Sequence, residues 1–419
     1  MGMGVGILPH SGRVFPCPGR FSRVGNLFFR LKARPSDAEE VSTGMTRRKK
    51  LLITVTEYPP MVSGVCTLTD VFVRELAKNP DLELHLWAPP GSCPPPEVVL
   101  HPSYFRRRSF IPRIAVELYN GITLKNLLRS ETFDGVLFMD ASSRAYGFGF
   151  VPKVKSLIYV HGHEVKSEGW FRDITTMKLS LQIAAMKKAD IVLANSDSSL
   201  QRTLQVVPEA LGRTVYPCYD PMRIYDPERH ASNPFEEGPF IFLTVARVVE
   251  RKGHETILRM LQKIGDQLDW RYYIVGDGPI RADLEALADD LGLSSRVRFT
   301  GAISDQQLGA YYHHADLMVM LPQPRTGGFE GFGLSYIEAA LSDTASVGSH
   351  HGGVKEAVVH GLTGLIVDPE RLDETTGTVL DLARDKPRME LYAKNGRERT
   401  LAEFSPEVFA EKILAALSL

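Results

Sequence analysis

The chain predicts an α/β protein of two successive domains, each a parallel sheet covered by helices, with a cleft between them. Three observations carry this. Short apolar, β-branched runs alternate with segments of helical spacing from Leu51 onward. A polar, proline-rich stretch without periodicity, DPERHASNPFEEGP (226–239), divides the alternation into two series and reads as a linker. Glycine loops recur where a strand gives way to a helix, the place where open parallel sheets bind ligands.

Composition narrows the class. The 419 residues are 43% hydrophobic and 24% charged, enough apolar material for two or three ordinary globular cores. The net charge of −1 gives no global reason to expect nucleic acid as a partner. Cys17, Cys66, Cys93 and Cys218 are scattered without CxxC spacing. That pattern argues against a zinc site or a disulfide framework and fits a reducing, cytoplasmic compartment. No apolar run reaches the roughly 20 residues needed to span a bilayer.

Residues 1–48 stand apart. The first 36 carry Arg13, Arg20, Arg23, Arg30, Lys32 and Arg34 and no acid, with frequent Gly and Pro. They are expected to form a disordered basic tail, or a stretch upstream of a start at Met45. A targeting peptide shares the acid-poor, Arg-rich composition, but no apolar core with a cleavage site follows. Amphipathic spacing around Val24–Leu31 leaves peripheral membrane contact open.

In the first domain (49–225), LLITVTE (51–57) has the composition of a buried parallel strand. The turn-rich YPPMVSGV leads to Gly64 and a helix through Val71, Val73 and Leu76. Further strands are expected at Leu82–Trp87, Gly135–Met139, Ser156–Val160, Asp190–Ala194 and Thr214–Tyr216, with helices at Ile114–Leu128 and Ile174–Lys187. His161 follows one strand directly, in HGHE with His163 and Glu164, where an imidazole can carry a proton or a hydrogen bond. A metal pair there lacks further ligands, and no metal is expected. The run Arg106–Arg107–Arg108 suits a solvated face, or an acidic acceptor.

The second domain (240–403) is expected to place strands at Phe240–Ala246, Trp270–Val275, Val297–Phe299, Leu317–Leu321, Ala345–Gly348 and Thr363–Val367. Residues 404–419 have helical spacing through Val408, Phe409, Ile413, Leu414 and Leu417. The chemistry concentrates in this half. In FLTVARVVERKGHETIL, Arg247 and Lys252 lie beyond a strand end and Gly253 precedes a helix, a combination suited to a diphosphate without a metal ion. VGDGP places Gly276 in a tight turn at the next strand end. VRFTG, with Arg298 and Phe299, offers backbone groups to a base. FEGFGLSYIE places Glu330, Gly331, Phe332 and Gly333 on a loop that opens into a helix at Leu334. Glu338 lies on that helix, with seven residues between the two glutamates. The unpaired first-turn N–H groups suit an anion, and the glutamates suit hydroxyls. Neither GxGxxG after a strand nor GxxxxGK[ST] occurs, so dehydrogenase and P-loop readings lack their phosphate loops.

The ordered set ARVVERKG, VGDGP, VRFTG, FEGFGLSYIEA and HHGGVKEAVVHGLTGLIVDP resembles the retaining GT-B glycosyltransferases called family 4. The likeness is strong over Phe240–Pro369, weaker over 51–225, and absent over 1–48. It implies two Rossmann-like domains facing across a cleft, with the acceptor on the first and the nucleotide sugar on the second. It also implies that the segment 404–419 crosses back to the first domain.

Carried over by motif, Arg247 and Lys252 bind the donor diphosphate and Glu338 the ribose hydroxyls. Glu330 contacts the donor sugar, with the Phe332 and Gly333 amides near sugar or phosphate. Arg298 and Phe299 lie beside the base, His161 touches the sugar near the reacting carbon, and Gly64 sits against the phosphates. Ser63-Gly64 departs from the two glycines of many relatives, so a Cβ narrows that approach.

The expected activity is a metal-independent, retaining transfer of a hexose from a UDP-, GDP- or ADP-sugar to an acceptor hydroxyl. The acceptor is a carbohydrate or lipid-linked, in glycan, glycolipid or polysaccharide biosynthesis, in the cytoplasm or at the inner membrane face. The alternatives are a same-fold epimerase or phosphorylase-like enzyme and a non-catalytic sugar-nucleotide-binding protein.

Overall fold

The computed structural model describes residues 47–419 except 62, 104–112, 146–151, 163–173, 231 and 325–327. The expectations for the N-terminal tail, for Arg106–Arg108 and for His163 and Glu164 lie outside the described residues.

The first unit runs β1 (Lys49–Thr54), α1 (Gly64–Leu76), β2 (Leu82–Ala88), β3 (Val99–Pro102), α2 (Arg113–Ser130), β4 (Gly135–Phe138), α3 (Ala141–Ala145), β5 (Ser156–Val160), α4 (Ile174–Lys187), β6 (Ile191–Ala194), α5 (Asp197–Val206) and β7 (Gly212–Thr214). Its strands pair in parallel in the order β3-β2-β1-β4-β5-β6-β7. The order reverses beside β1, which places the expected ligand crevice over the ends of β1 and β4. β1 and β4 are buried along most or all of their length, because helices cover both faces.

From Val215 to Pro239 the described residues contain no strand or α-helix, only a 3₁₀ turn at Pro221–Arg223. The second unit runs β8 (Phe240–Val245), α6 (His254–Ile264), β9 (Trp270–Val275), α7 (Arg281–Asp290), β10 (Val297–Gly301), α8 (Asp305–His314), β11 (Leu317–Val319), α9 (Leu334–Leu341), β12 (Ser346–Ser349), α10 (Val354–Ala357), β13 (Gly364–Val367), α11 (Leu372–Ala383) and α12 (Lys386–Glu403). Its parallel order is β10-β9-β8-β11-β12-β13. A last helix, α13 (Pro406–Leu417), packs on the first unit. There Phe409 meets Phe72 edge-on at 5.2 Å and Tyr159 at 5.5 Å, and Ile413 and Leu417 join the same core. No helix among the described residues is long and apolar enough to cross a membrane.

Some strands differ from expectation, for physical reasons. β1 ends at Thr54 rather than Glu57, because the Thr56 N–H and hydroxyl turn to the Asp140 carboxylate (2.9 and 3.1 Å). β7 sits at Gly212–Thr214, upstream of Thr214–Tyr216. The Tyr216 ring leaves the sheet to pack on Phe332 and Phe404. β3 is an unexpected edge strand, and its edge position is what tolerates Pro102.

Candidate active site

The site is built from two glycine-started helices of the second unit and the loops of the first that close on them. Gly253 precedes α6 with φ +75°, and a Cβ there would lie 1.9 Å from the Leu321 carbonyl. Gly333 precedes α9 with φ +95°. Left-handed backbone at both positions is what glycine permits. No side chain among the described residues caps either helix, so their first-turn N–H groups stay available to an anion.

Lys252 and Glu330 meet in front of these helix starts. Lys252 Nζ lies 2.7 Å from Glu330 Oε2, and Arg251 Nη1 donates to the same oxygen at 2.5 Å. Both Lys252 and Glu330 are nearly out of solvent. Burial pushes the Glu330 carboxyl up, but the Lys252 ammonium and the Arg251 guanidinium outweigh it and hold the group below the ordinary carboxylate value. Burial also holds Lys252 below the ordinary lysine value, with Glu330 opposing. The cluster is thus an ion pair that stays charged while Lys252 remains under-compensated. Arg247 is exposed and near enough to depress Lys252 further. Arg247 and Lys252 are expected together on the diphosphate; on Glu330, Lys252 is joined by Arg251. The adjacent cation in ERKG was the available signal.

Glu338 lies on α9 and is buried. Its Oε2 accepts from the Tyr312 hydroxyl at 2.8 Å and its Oε1 from Arg223 Nη1 at 3.3 Å. Two of roughly four lone-pair positions are thereby used, and the others remain for hydroxyls. Arg223 also reaches Asp305 Oδ1 (2.8 Å) and Thr67 Oγ1 on α1 (3.2 Å), so one guanidinium ties Glu338 to the first unit. Burial and the Glu338 carboxylate raise the Tyr312 phenol well above its usual range, so it remains a donor. Neither Arg223 nor Tyr312 carries a local sequence signal.

The first unit closes tightly over this loop. A Cβ on Gly331 would lie 2.3 Å from the His161 carbonyl and 2.6 Å from Asn195 Nδ2. A Cβ on Gly162 would meet the Phe329 ring at 2.7 Å. Glu356 of α10 accepts from the Asp197 and Ser198 amides at the start of α5 (2.6 and 3.0 Å), an anion on a helix N-terminus. His161 stands at the end of β5, and its Nε2–H donates to the Met139 carbonyl at 2.8 Å, which fixes the ring.

The remaining expected residues divide. Phe332 is buried against Tyr216 and Phe404, so its backbone alone faces the helix start that Leu334 opens. Gly276 (φ +138°) would place a Cβ 2.0 Å from the Ala246 carbonyl, so it allows the β8 and β9 ends to approach. Gly64 opens α1 with nothing within 4 Å of a Cβ, while Ser63 caps that helix through the Cys66 amide and donates to Glu57. Arg298 and Phe299 are expected beside the base, and among the described residues no hydrogen bond or ion pair joins them to Glu330. Arg298 bends onto the Ser294 and Val297 carbonyls of its own edge strand. The Phe299 ring packs on the core, and its carbonyl accepts from Arg281.

Residues 226–399 match the family described as Glycosyl transferases group 1. The chain is 26% identical over 389 residues to a GDP-mannose-dependent alpha-(1-6)-phosphatidylinositol monomannoside mannosyltransferase of Mycobacterium tuberculosis, covering 87% of this chain and 97% of that one. It is 28% identical over 214 residues to a 2-deoxystreptamine glucosyltransferase of Streptomyces kanamyceticus, covering 51% and 54%. Among solved structures, sucrose-phosphate synthase from Thermosynechococcus elongatus superposes with TM-score 0.72 at 22% identity, over 87% of this chain and 97% of that one. Anabaena Alr3699/HepE in complex with UDP-glucose gives TM-score 0.68 at 17% identity, over 88% and 99%. These structural likenesses carry the fold.

Proposed function

The chain is a glycosyltransferase of the GT-B fold with a group 1 second domain, and on that premise we propose that it transfers a mannosyl residue from GDP-mannose to a hydroxyl of a lipid-linked acceptor, with retention at the anomeric carbon. One observation carries the reading. The Lys252–Glu330–Arg251 cluster stands before two uncapped, glycine-started helices, α6 and α9. The choice of donor and acceptor follows the mannosyltransferase that shares nearly its whole length with this chain.

Breaking the anomeric C–O bond leaves negative charge on the departing diphosphate. Lys252, Arg247 and the two helix N-termini receive that charge, in the role a divalent ion plays elsewhere. Glu330 holds Lys252 charged in a site whose burial opposes charge, then shares it with the phosphate. Glu338, oriented by Tyr312 and Arg223, accepts from the ribose hydroxyls. His161, fixed by the Met139 carbonyl, stands over the sugar from the first domain. Closure of the His161 and Gly162 loops on Phe329–Gly331 excludes water that would otherwise hydrolyse the donor. The acceptor approaches from the first domain, in peripheral contact with the cytoplasmic membrane face.

The test is transfer of radiolabelled mannose from GDP-mannose to extracted phosphoinositides and other polyprenyl or glycolipid acceptors, with EDTA present. The expected result is a mannosylated lipid whose formation Glu330→Gln abolishes. Labelled lipid from UDP-glucose but none from GDP-mannose overturns the donor choice. Product that requires added Mn²⁺ or Mg²⁺ overturns the metal-independent mechanism.

A further inference from the structure

Away from the donor site, β2, β3 and the end of α2 bring three metal-ligand side chains together. His85 Nδ1 lies 2.8 Å from His101 Nε2 and 3.7 Å from Glu131 Oε2, and the three donor atoms all fall within 4.8 Å of one another. Tetrahedral zinc, with bonds of about 2.0–2.1 Å, separates its ligand atoms by roughly 3.3 Å. Two of the separations bracket that value and the third lies within 4.8 Å, so an ion would draw the side chains together by rotation. The remaining His85 nitrogen, Nε2, donates to Glu83 Oε1 at 3.0 Å. A carboxylate on the far nitrogen fixes the tautomer and turns the Nδ1 lone pair toward the cluster, the usual outer support of a metal-bound histidine.

We propose that His85, His101 and Glu131 form a binding site for a divalent transition-metal ion, with Zn²⁺ the fitting occupant and a fourth position left to water. Two imidazoles and one carboxylate suit zinc rather than magnesium or calcium. Lys50 Nζ lies 3.0 Å from Glu83 and 3.7 Å from Glu131. It balances one of the two carboxylates, so the pocket keeps negative charge for a dication. His85 is buried, stacked on His101 and edge-on to Phe133, which limits its freedom to turn away. The ion would bind edge strand β3, held on one side by β2 alone, to the α2–β4 corner. Its role is to staple that edge, and it takes no part in sugar transfer.

The experiment titrates Zn²⁺ against a chromophoric competitor into the chelator-stripped full chain, and records the melting temperature with and without zinc. His101→Ala and Glu131→Gln are compared with the parent, both positions being partly exposed, and circular dichroism checks that each variant is folded. A His350→Ala/His351→Ala variant controls for the pair of partly exposed histidines that follows β12 in the second unit. The proposal expects one tight equivalent in the parent, weakened at least tenfold in His101→Ala and in Glu131→Gln and unchanged in the control. It also expects a zinc-dependent rise in melting temperature that both ligand variants lose. Absence of a tight equivalent in the parent, its persistence in either ligand variant, or its loss in the control overturns the assignment.

Discussion

Replacing Lys252 by Met separates charge from packing at the donor site. The methionine keeps the length of the stem, and the Lys252 Nζ already lies 3.6 Å from the Met320 sulfur, so the space accepts a thioether. Two stability effects oppose each other. The substitution relieves the burial that holds the Lys252 ammonium below its ordinary value. It also removes one of two cations from Glu330, which keeps Arg251 at 2.5 Å. Breaking a buried ion pair with no second partner costs about 3–5 kcal/mol; with these terms opposed, the net change should stay within about 2 kcal/mol. For a domain of this size that is a melting shift below about 8 °C.

Turnover should respond quite differently. Loss of one preorganised group facing the developing charge costs about 10²–10³ in kcat, or ~3–4 kcal/mol. The assay is single-turnover mannose transfer at saturating GDP-mannose, with a melting curve on the same sample. Turnover within threefold of the parent in a folded variant would refute the assignment of Lys252 to the leaving group.

Three further outcomes follow from the geometry. His254 is buried, with its Nε2–H donated to the Arg247 carbonyl, and burial pushes it down to about 4. The unfolded chain takes up that proton near pH 6.5 and the folded one does not. Stability should therefore fall by ~3 kcal/mol as pH drops from 6.5 to 4, and His254→Gln should flatten that slope in urea titrations. Gly331→Ala drives a methyl into the His161 carbonyl and should cost about 1–3 kcal/mol together with at least tenfold in kcat, checked by denaturation and kinetics. Tyr312→Phe leaves Glu338 Oε2 without its donor and should destabilise by about 1–3 kcal/mol, with the KM for donor altered more than the KM for acceptor.

The fold was legible where burial writes a composition into the chain. β1 and β8 are buried along most of their length and read as apolar runs, and β9 buries alternate residues Trp270, Tyr272 and Ile274. β3 was illegible because VLHP is a short edge strand, half-exposed and ended by proline. β7 was displaced because GRT is polar and the apolar residues after it serve the Tyr216 packing instead. At the site, glycine-to-helix starts were visible at Gly253 and Gly333, since positive φ before a helix demands that residue. Arg223 and Tyr312 were not visible, because they reach Glu338 from 115 and 26 residues away. The His85–His101–Glu131 cluster was hidden for the same reason: it exists only through the β2–β3 register and the return of α2 to the sheet.

The account turns on cationic side chains meeting the diphosphate where other enzymes place a divalent ion. A crystal structure of the protein with GDP-mannose, grown in EDTA, measures this directly. It should place Lys252 Nζ and the Arg247 guanidinium about 2.7–3.2 Å from β-phosphate oxygens, with the α6 and α9 amides facing the same group. A diphosphate bound away from both cations would contradict it, as would a donor that binds only once a divalent ion is restored.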